Sequence, residues 1–544
     1  MIRLSFKPLS LGLLTLACMA AASTASAGSL TTWLGSGTSN NWSTNNNWTT
    51  KPTTSGTFSL VYRGAPSKTT STNDLGPDAV SIDSILFANT NSGTLTSQFI
   101  LSKSSTSPAL SLVNGATVTT IATATDNPQG ALSDSISSSL AFGGTATFNM
   151  GSNHHLTLSG TLSGGATLVK QGVGDLLLTN TNSLTALSIE QGVVQVNTTS
   201  FGRITGLTVD IGSSGKTGTL RTSNLGSTLT PHETNIKFKL NGDANIIPNG
   251  NSNITFNAAN FNEAVAGVTT PVTLTLAGGG GAAKGSVING VIQDNSASGT
   301  VGVTIGTATT RNVWVLNGIN TYTGSTTIQS GTGGKLLMNG TISGSSTTTS
   351  YGYLGGSGTF RGAVIVSSGT LAPGGSSAGG EIVDTVGALT MASLSLGSSA
   401  TTQLMITGTA ASLYDQVVAF GSAGLTYGGN LELTLTGSQA YALNTTFNLF
   451  QNFATRSGSF SSVSLAAGGT PYDGLVFVNV GGGIWETGAM GGPLNEYLRF
   501  EQSTGNLIVV PEPSTYAMAL AGLACGGRQM WRRRRLRQAA SLAA

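Results

Sequence analysis

The stretches GGATLVKQGVGDLLLTNTNSLTALSIEQGVVQVN (164–197) and VWVLNGINTYTGSTTIQSGTGGKLLMNG (313–340) are variants of one pattern. Leu178 aligns with Leu316 and Asn182 with Asn320. After a one-residue insertion, Ile189 and Gly192 align with Ile328 and Gly331. Each stretch reads as strand, Asn/Thr/Gly turn, strand, Gly turn, strand. A unit this short cannot bury an apolar face alone, so neighbouring units must cover one another, which is the logic of a solenoid. Gly permits the positive-φ corners between sheets. Thr, Val and Ile suit pleated faces, and Asn at a corner can ladder its amide from coil to coil. Leu, Val and Ile are then expected in a narrow inner column, with Ser, Thr and Asn facing water. A β-sandwich array, with alternate residues in separate cores, is the structural alternative.

These residues resemble the autotransporter-associated β-strand repeat of bacterial passenger domains. Asn320-Thr321-Tyr322-Thr323-Gly324 matches its turn, and Asn182-Ser183-Leu184-Thr185-Ala186 is a degraded copy. Ile288-Asn289-Gly290-Val291-Ile292, Gly355-Gly356-Ser357-Gly358-Thr359 and Leu371-Ala372-Pro373-Gly374 are supporting pieces, and weaker similarity runs from Leu156 to Phe460. The resemblance implies an all-β, right-handed parallel β-helix, and it implies no chemistry.

Both ends of the chain differ from this body. The first reads MIRLSFKPLSLGLLTLACMAAASTASAG: Arg3 and Lys7, an apolar run, then Ala25-Ser26-Ala27. This is the layout of a secretory signal peptide, with cleavage leaving Gly28 first. Cys18 follows Thr15-Leu16-Ala17, a poor match to a lipoprotein site. At the other end, Tyr516 to Gly527 carries no charge, and Arg528, Trp531, Arg532, Arg533, Arg534 and Arg535 follow. As a helix the uncharged run is about 18 Å long against a hydrocarbon core of about 30 Å. It suits transient docking in a membrane, with the arginines on the cytoplasmic side. Pro511 and Pro513 each remove a donor and fix φ, which leaves Pro511-Glu512-Pro513 extended and exposed.

The three-part tail resembles the PEP-CTERM sorting signal, over about the last 34 residues of the 544. The resemblance implies a membrane-embedded exosortase-like enzyme that recognises the Pro-Glu-Pro motif and removes the tail. It also implies a Gram-negative host that makes extracellular polysaccharide. The apolar run here is short and is followed directly by Arg528, a departure from the usual pattern.

The charges are segregated. Eight of the 24 Lys and Arg lie in the two end segments, leaving 16 against 20 of the 21 acids in the body. The body has no basic cluster with interleaved aromatics, so a nucleic-acid partner has no support. The two cysteines, Cys18 and Cys525, also lie in the end segments, so the body has neither a disulfide nor a thiolate metal site. Gly is 76 of 544, about twice average usage, which supplies the corners that a solenoid needs.

Candidates for chemistry are sparse. His154 and His155 are adjacent and must point to opposite faces of a strand. Asp74, Asp78 and Asp83 lack the spacing of an EF-hand loop, leaving at most a weak Ca²⁺ site. Gly212-Ser213-Ser214-Gly215-Lys216-Thr217 has Asp210 where a phosphate loop needs its first Gly. Asp175, Glu190, Lys170 and Lys335 do not form the convergent set that a polysaccharide lyase or hydrolase requires. Trp33, Trp42 and Trp48 read either as a cap over the first coil or as a glycan-stacking platform.

The expected organisation is a signal peptide over 1–27, a Trp-containing cap over 28–60 and a solenoid over 61–480. Closing strands follow over 481–510, in which Tyr497–Phe500 and Asn506–Val509 form a hairpin turned by Ser503-Thr504-Gly505. The sorting signal occupies 511–544. The expected function is that of an exported, non-enzymatic, cofactor-free structural protein of the cell surface or extracellular matrix, with the sorting enzyme and extracellular polysaccharide as partners. An adhesin or glycan-binding protein is the alternative, and a polysaccharide-degrading β-helix the third class.

Overall fold

The computed structural model describes residues 28–64, 66–89, 99–122, 132–165, 167–180, 182–197, 207–222, 232–248, 254–278, 285–307, 313–331, 334–378, 381–421, 423–437, 440–488, 496–511, 523 and 528–532. Of the end-segment candidates, Gly28, Pro511, Arg528, Trp531 and Arg532 lie within these ranges. Ala25, Ala27, Glu512, Pro513, Tyr516, Arg533, Arg534 and Arg535 lie outside the described residues. The chain divides into two compact units, one ending at Ala166 and one beginning at Thr167.

In the N-terminal unit, strands Ser29–Trp33, Thr57–Arg63, Ser81–Asn89, Leu110–Ala122 and Ala146–Met150 pair in sequence order, all parallel. A second parallel ladder runs through Thr70–Asn73, Ile100–Lys103, Leu132–Ile136 and His154–Leu158. Parallel strands of consecutive coils facing a shared interior make a β-helix. Inward residues such as Ile85, Phe87, Val118 and Phe148 are wholly or almost wholly buried, and their neighbours along the strand are less so.

The second unit is built the same way. One ladder runs Thr167–Gln171, Ala186–Ile189, Thr208–Ile211, Lys237–Leu240 and Asn262–Glu263. Another runs from Asp175–Leu178 through Gly192–Val196, Gly218–Thr222, Ala244–Pro248, Val272–Leu276 and Val301–Ile305 to Thr326–Ile328. Farther along, the 15-residue strand Thr359–Pro373 pairs successively with three strands of the preceding coil: Thr341–Ile342, Thr348–Ser350 and Tyr353–Gly356. It stays hydrogen-bonded around the coil by bending at two register shifts against the 19-residue strand Ala388–Ile406. Among the described residues, the ladders between strands of successive coils are parallel, which sets aside the sandwich alternative.

The two similar stretches occupy equivalent places. Leu178 and Leu316 end corresponding strands, and both are buried, as are Asn182 and Asn320, and Ile189 and Ile328. Gly192 and Gly331 both turn with positive φ, +74° and +86°. The corner at Asn317-Gly318 shows why glycine is required there. A Cβ on Gly340 would stand 2.1 Å from the Gly318 carbonyl oxygen, and one on Gly318 would stand 2.2 Å from that of Gly290. Beside this column the exposed amides form a ladder. Asn289 donates to Asn257 at 2.7 Å, Asn317 to Asn289 at 2.8 Å and Asn339 to Asn317 at 3.3 Å.

Two features depart from plain coil stacking. Between Pro373 and Ala388 the chain leaves the coil as an antiparallel hairpin, Ser376–Ala378 with Glu381–Val383. Its Ile382 packs against the buried cluster Val313, Val315 and Leu337, as do Val287 and Tyr353, and the cluster with those two spans four consecutive rungs. The hairpin is a strap over an apolar outer face, and it explains why all four residues of Val313–Leu316 are buried. Beyond the last coil, five antiparallel strands form a closing sheet in the order Thr446–Asn448, Asn506–Pro511, Glu496–Glu501, Ile484–Thr487, Phe477–Gly481. The hairpin read from the sequence is its centre, with Leu498 opposite Val509 and Phe500 opposite Leu507. The sheet starts at Phe477 and recruits Thr446–Asn448, so it reaches beyond the 481–510 range.

Candidate functional site

The first coil of the N-terminal unit and the last coils of the second unit carry residues singled out above, and each is covered. In the N-terminal unit, the segment after Trp33 returns along the first strand. Leu34 N donates to Asn47 O at 2.7 Å and Thr49 N to Thr32 O at 3.0 Å, so 47–50 runs antiparallel along the open edge. The same loop covers the other ladder: Thr72 N donates to Asn40 O at 2.8 Å and Trp42 N to Thr72 O at 2.9 Å. An uncovered edge would present a row of free donors and acceptors. Asn47 holds the loop together from within. Its Nδ2 donates to the Ser39 and Asn41 carbonyls, both at 2.8 Å, and its Oδ1 accepts from Gly37 N at 2.8 Å.

The three indoles sit beneath this loop. Trp33, Trp42 and Trp48 are 1%, 0% and 6% exposed, so none offers a ring face to solvent. Trp48 meets Trp33 and Trp42 edge to face at 5.1 and 5.2 Å, and Tyr62 continues the ring column toward Phe87 and Phe99. The polar edges of two indoles are satisfied inside. Trp42 Nε1 donates to Ser71 Oγ at 2.8 Å, and Trp33 Nε1 to Lys68 O at 2.8 Å.

Two of the three acids near this end, Asp74 and Asp83, have structural partners. Asp74 accepts from Ser43 N at 2.8 Å and from the Ser43 hydroxyl. Asp83 accepts from Ser59 Oγ at 2.7 Å and from Gly28 N at 2.6 Å. Among the described residues, no group of three His, Cys, Asp or Glu converges as a metal site would require.

In the second unit, the closing sheet seats on the last coils through aromatic rings. Phe500 lies 6.2 Å from Phe450 and 6.0 Å from Phe460, and Tyr427 donates its hydroxyl to Gln502 O at 2.9 Å. The strand Asn506–Pro511 is interior to the sheet, held on both sides. Pro511, the first residue of the Pro-Glu-Pro motif, stands opposite Glu496 and closes that strand. The motif therefore begins at the end of the last described strand. Farther along, residues 528–532 are helical, and Met530 and Trp531 are exposed. Among the described residues, no helix is long and apolar enough to cross a membrane.

Four buried ionisable groups have no expected role from the sequence. His154 faces inward and His155 outward, as adjacent strand residues must. The buried His154 Nε2 lies 2.6 Å from Asp134 Oδ2, and Phe99 N donates to Asp134 Oδ1 at 2.8 Å. Lys170 points its Nζ at the carbonyls of Gln171, Gly172 and Gln191, at 2.9, 2.7 and 3.0 Å. Burial pushes this amine down to about 7 while Asp175 pulls it up; three carbonyl acceptors are the number that an ammonium satisfies. Asp415 accepts from Gly387 N at 2.8 Å and Met405 N at 2.7 Å. Burial pushes it up to about 7 against the pull of those two amides, with Asp384 adding to the rise. Each group ties a turn or a strap root to a neighbouring coil, and none is paired with a free nucleophile.

Asp175 and Glu190, placed apart in the sequence by turns, do have neighbours. Asp175 lies 3.5 Å from Arg221 on a nearby coil, and Glu190 accepts from Gln171 at 2.9 Å. Gly212–Thr217 is a tight turn closed by Lys216 N to Ser213 O at 2.8 Å. The inward parity of Lys170 and Asp134, on the same side of their strands as Leu168 and Ile136, was the available signal for their burial. Comparison with family models, with curated proteins and with solved structures finds no match to this chain.

Proposed function

We propose that this chain is an exported, non-catalytic structural protein of the cell surface or extracellular matrix of a Gram-negative bacterium, sorted by an exosortase-type enzyme through its last 34 residues. The observation that carries the reading is the position of the motif. The described closing sheet ends at Pro511, so removal of what lies beyond touches none of the described strands. An extended Pro-Glu-Pro segment, which the two prolines favour, suits entry into a processing cleft.

The buried polar groups support a structural role, because Asp134, Lys170 and Asp415 are engaged with backbone donors and acceptors rather than aimed at a cleft. The glycan-binding alternative draws no support from the buried indoles. It draws some from the exposed amide column Asn257, Asn289, Asn317 and Asn339, whose remaining N–H groups face water.

Mass spectrometry of the protein from separated cell fractions tests the reading. The expected result is a body beginning at Gly28 and ending near Pro511 to Pro513, found in the envelope or outside the cell. An intact chain, leader included, recovered from the cytosol refutes it.

A further inference from the structure

The contact between Gly28 and Asp83 joins the expected cleavage site to the fold. Gly28 immediately precedes the first strand, Ser29–Trp33, and its N lies 2.6 Å from Asp83 Oδ2. Asp83 sits two rungs further on, in Ser81–Asn89. It is the extra residue of a β-bulge. Phe58 pairs with Ile82 and Ser59 with Ser84, and the next ladder slips at the same place, with Ile82 opposite Leu112 and Ser84 opposite Thr117. Bulges take a residue out of the ladder and re-aim its side chain. Here the carboxylate reaches back across the intervening rung. Ser59 of that rung steadies its other oxygen at 2.7 Å.

A side chain at residue 28 would have to displace this carboxylate. A Cβ there would stand 2.8 Å from Cγ, Oδ1 and Oδ2 of Asp83 alike, closer than real side chains approach. The carboxylate is therefore seated directly over the Cα of Gly28. An uncharged peptide N–H needs only one acceptor at its hydrogen. A carboxylate that sets one oxygen 2.6 Å from the nitrogen, lies over the Cα and has its second oxygen steadied suits an ammonium with three donors.

We propose that Asp83 is the receptor for the mature N-terminus: cleavage after Ala27 converts the Gly28 amide into an α-ammonium that forms an ion pair with the Asp83 carboxylate and locks the first coil. The inference rests on the cleavage reading above and adds a consequence to it. Removal of the leader is then a step in folding, because the first rung gains its charged anchor only after processing. At neutral pH the new terminus is mostly protonated, since an α-amino group titrates near about 7.7–8.0.

The test compares two forms of the full chain expressed with its leader in a Gram-negative host. One is processed normally. The other carries Ala27→Phe, which places a large residue at the cleavage position and retains the leader. Asp83→Asn is introduced into each, and hydrogen exchange is read at Ser29–Trp33, with N-termini established by mass spectrometry. In the processed protein, Asp83→Asn is expected to lower protection of this strand about tenfold, the loss of one charge-assisted hydrogen bond. In the leader-bearing form the same change is expected to lower it less than about threefold, because a neutral amide loses only a neutral hydrogen bond. Gly28→Ala in the processed protein, which keeps the ammonium but adds the clashing Cβ, is expected to reproduce the larger loss. Equal losses in the two forms, or none in the processed one, overturn the ion pair while leaving the cleavage reading intact. A processed protein that begins at any other residue overturns both.

Discussion

Replacing Trp42 with alanine tests whether the indole cluster closes the N-terminal unit. Trp42 is fully buried, packs edge to face on Trp48 at 5.2 Å and donates to Ser71. Truncating a buried Trp to Ala costs about 3–5 kcal/mol in transfer and cavity terms. Ser71 keeps Tyr62 as a partner at 3.1 Å, so the hydroxyl is not orphaned and adds little. About 4 kcal/mol is then the expected loss, and it is local, because Trp42 belongs to the loop that covers Thr72 and, through Trp48, the first strand. At about 1.4 kcal/mol per decade, that raises the opening equilibrium of this end roughly a thousandfold. Hydrogen exchange followed by proteolysis reads it directly. Ser29–Trp33 and Thr70–Asn73 should lose about three decades of protection, while strands of the second unit such as Val301–Ile305 keep theirs. Unchanged protection at Thr70–Asn73 refutes the closure argument. Unchanged protection combined with lost binding to a glycan would instead make the indoles a ligand platform.

Other consequences are quickly checked. Gly340→Ala sets a Cβ 2.1 Å from a carbonyl and should destabilise by about 3 kcal/mol, whereas Gly421→Ala, with open space and φ +78°, should cost about 1–2 kcal/mol; their thermal midpoints compare the two. Asp415 keeps its proton to about 7 in the folded chain and loses it near about 4 when unfolded, so its contribution is present below about pH 4 and is lost as pH rises to about 7. The thermal midpoint of the wild type relative to Asp415→Asn should accordingly fall between pH 5 and pH 8. Ending the chain after Pro513 should leave the midpoint unchanged. Ending it after Gly505 removes the interior strand Asn506–Pro511 and should expose the Phe450–Phe460–Phe500 cluster to a hydrophobic dye.

The coil was legible in the sequence because its rules are local. Leu178, Asn182, Ile189 and Gly192 recur as Leu316, Asn320, Ile328 and Gly331, so one unit predicted the next, and the corner amides announced the ladder. The closing hairpin was legible for the same reason: alternating residues flank a Gly505 turn with φ +78°. The strap was not. Ser376 to Val383 is short and Gly-rich, and its reason for forming is an apolar face contributed by Val313, Val315 and Leu337, distant in sequence. Those outward apolar residues break the polar-out rule and were the trace that it left. The bulge at Asp83 is invisible for a related cause, since an extra residue in a strand shows only against its partners.

The corner amides have one further consequence. Three of the four donate to the coil before, Asn339 to Asn317, Asn317 to Asn289 and Asn289 to Asn257, and Ser357 N enters the far end at Asn339 Oδ1. The four dipoles point the same way and so polarise one another instead of cancelling. Such a row has a head and a tail. Deleting Asn289 or Asn317 splits it in two, whereas deleting Asn257 or Asn339 only shortens it, so four chemically identical positions are unequal in what their loss does.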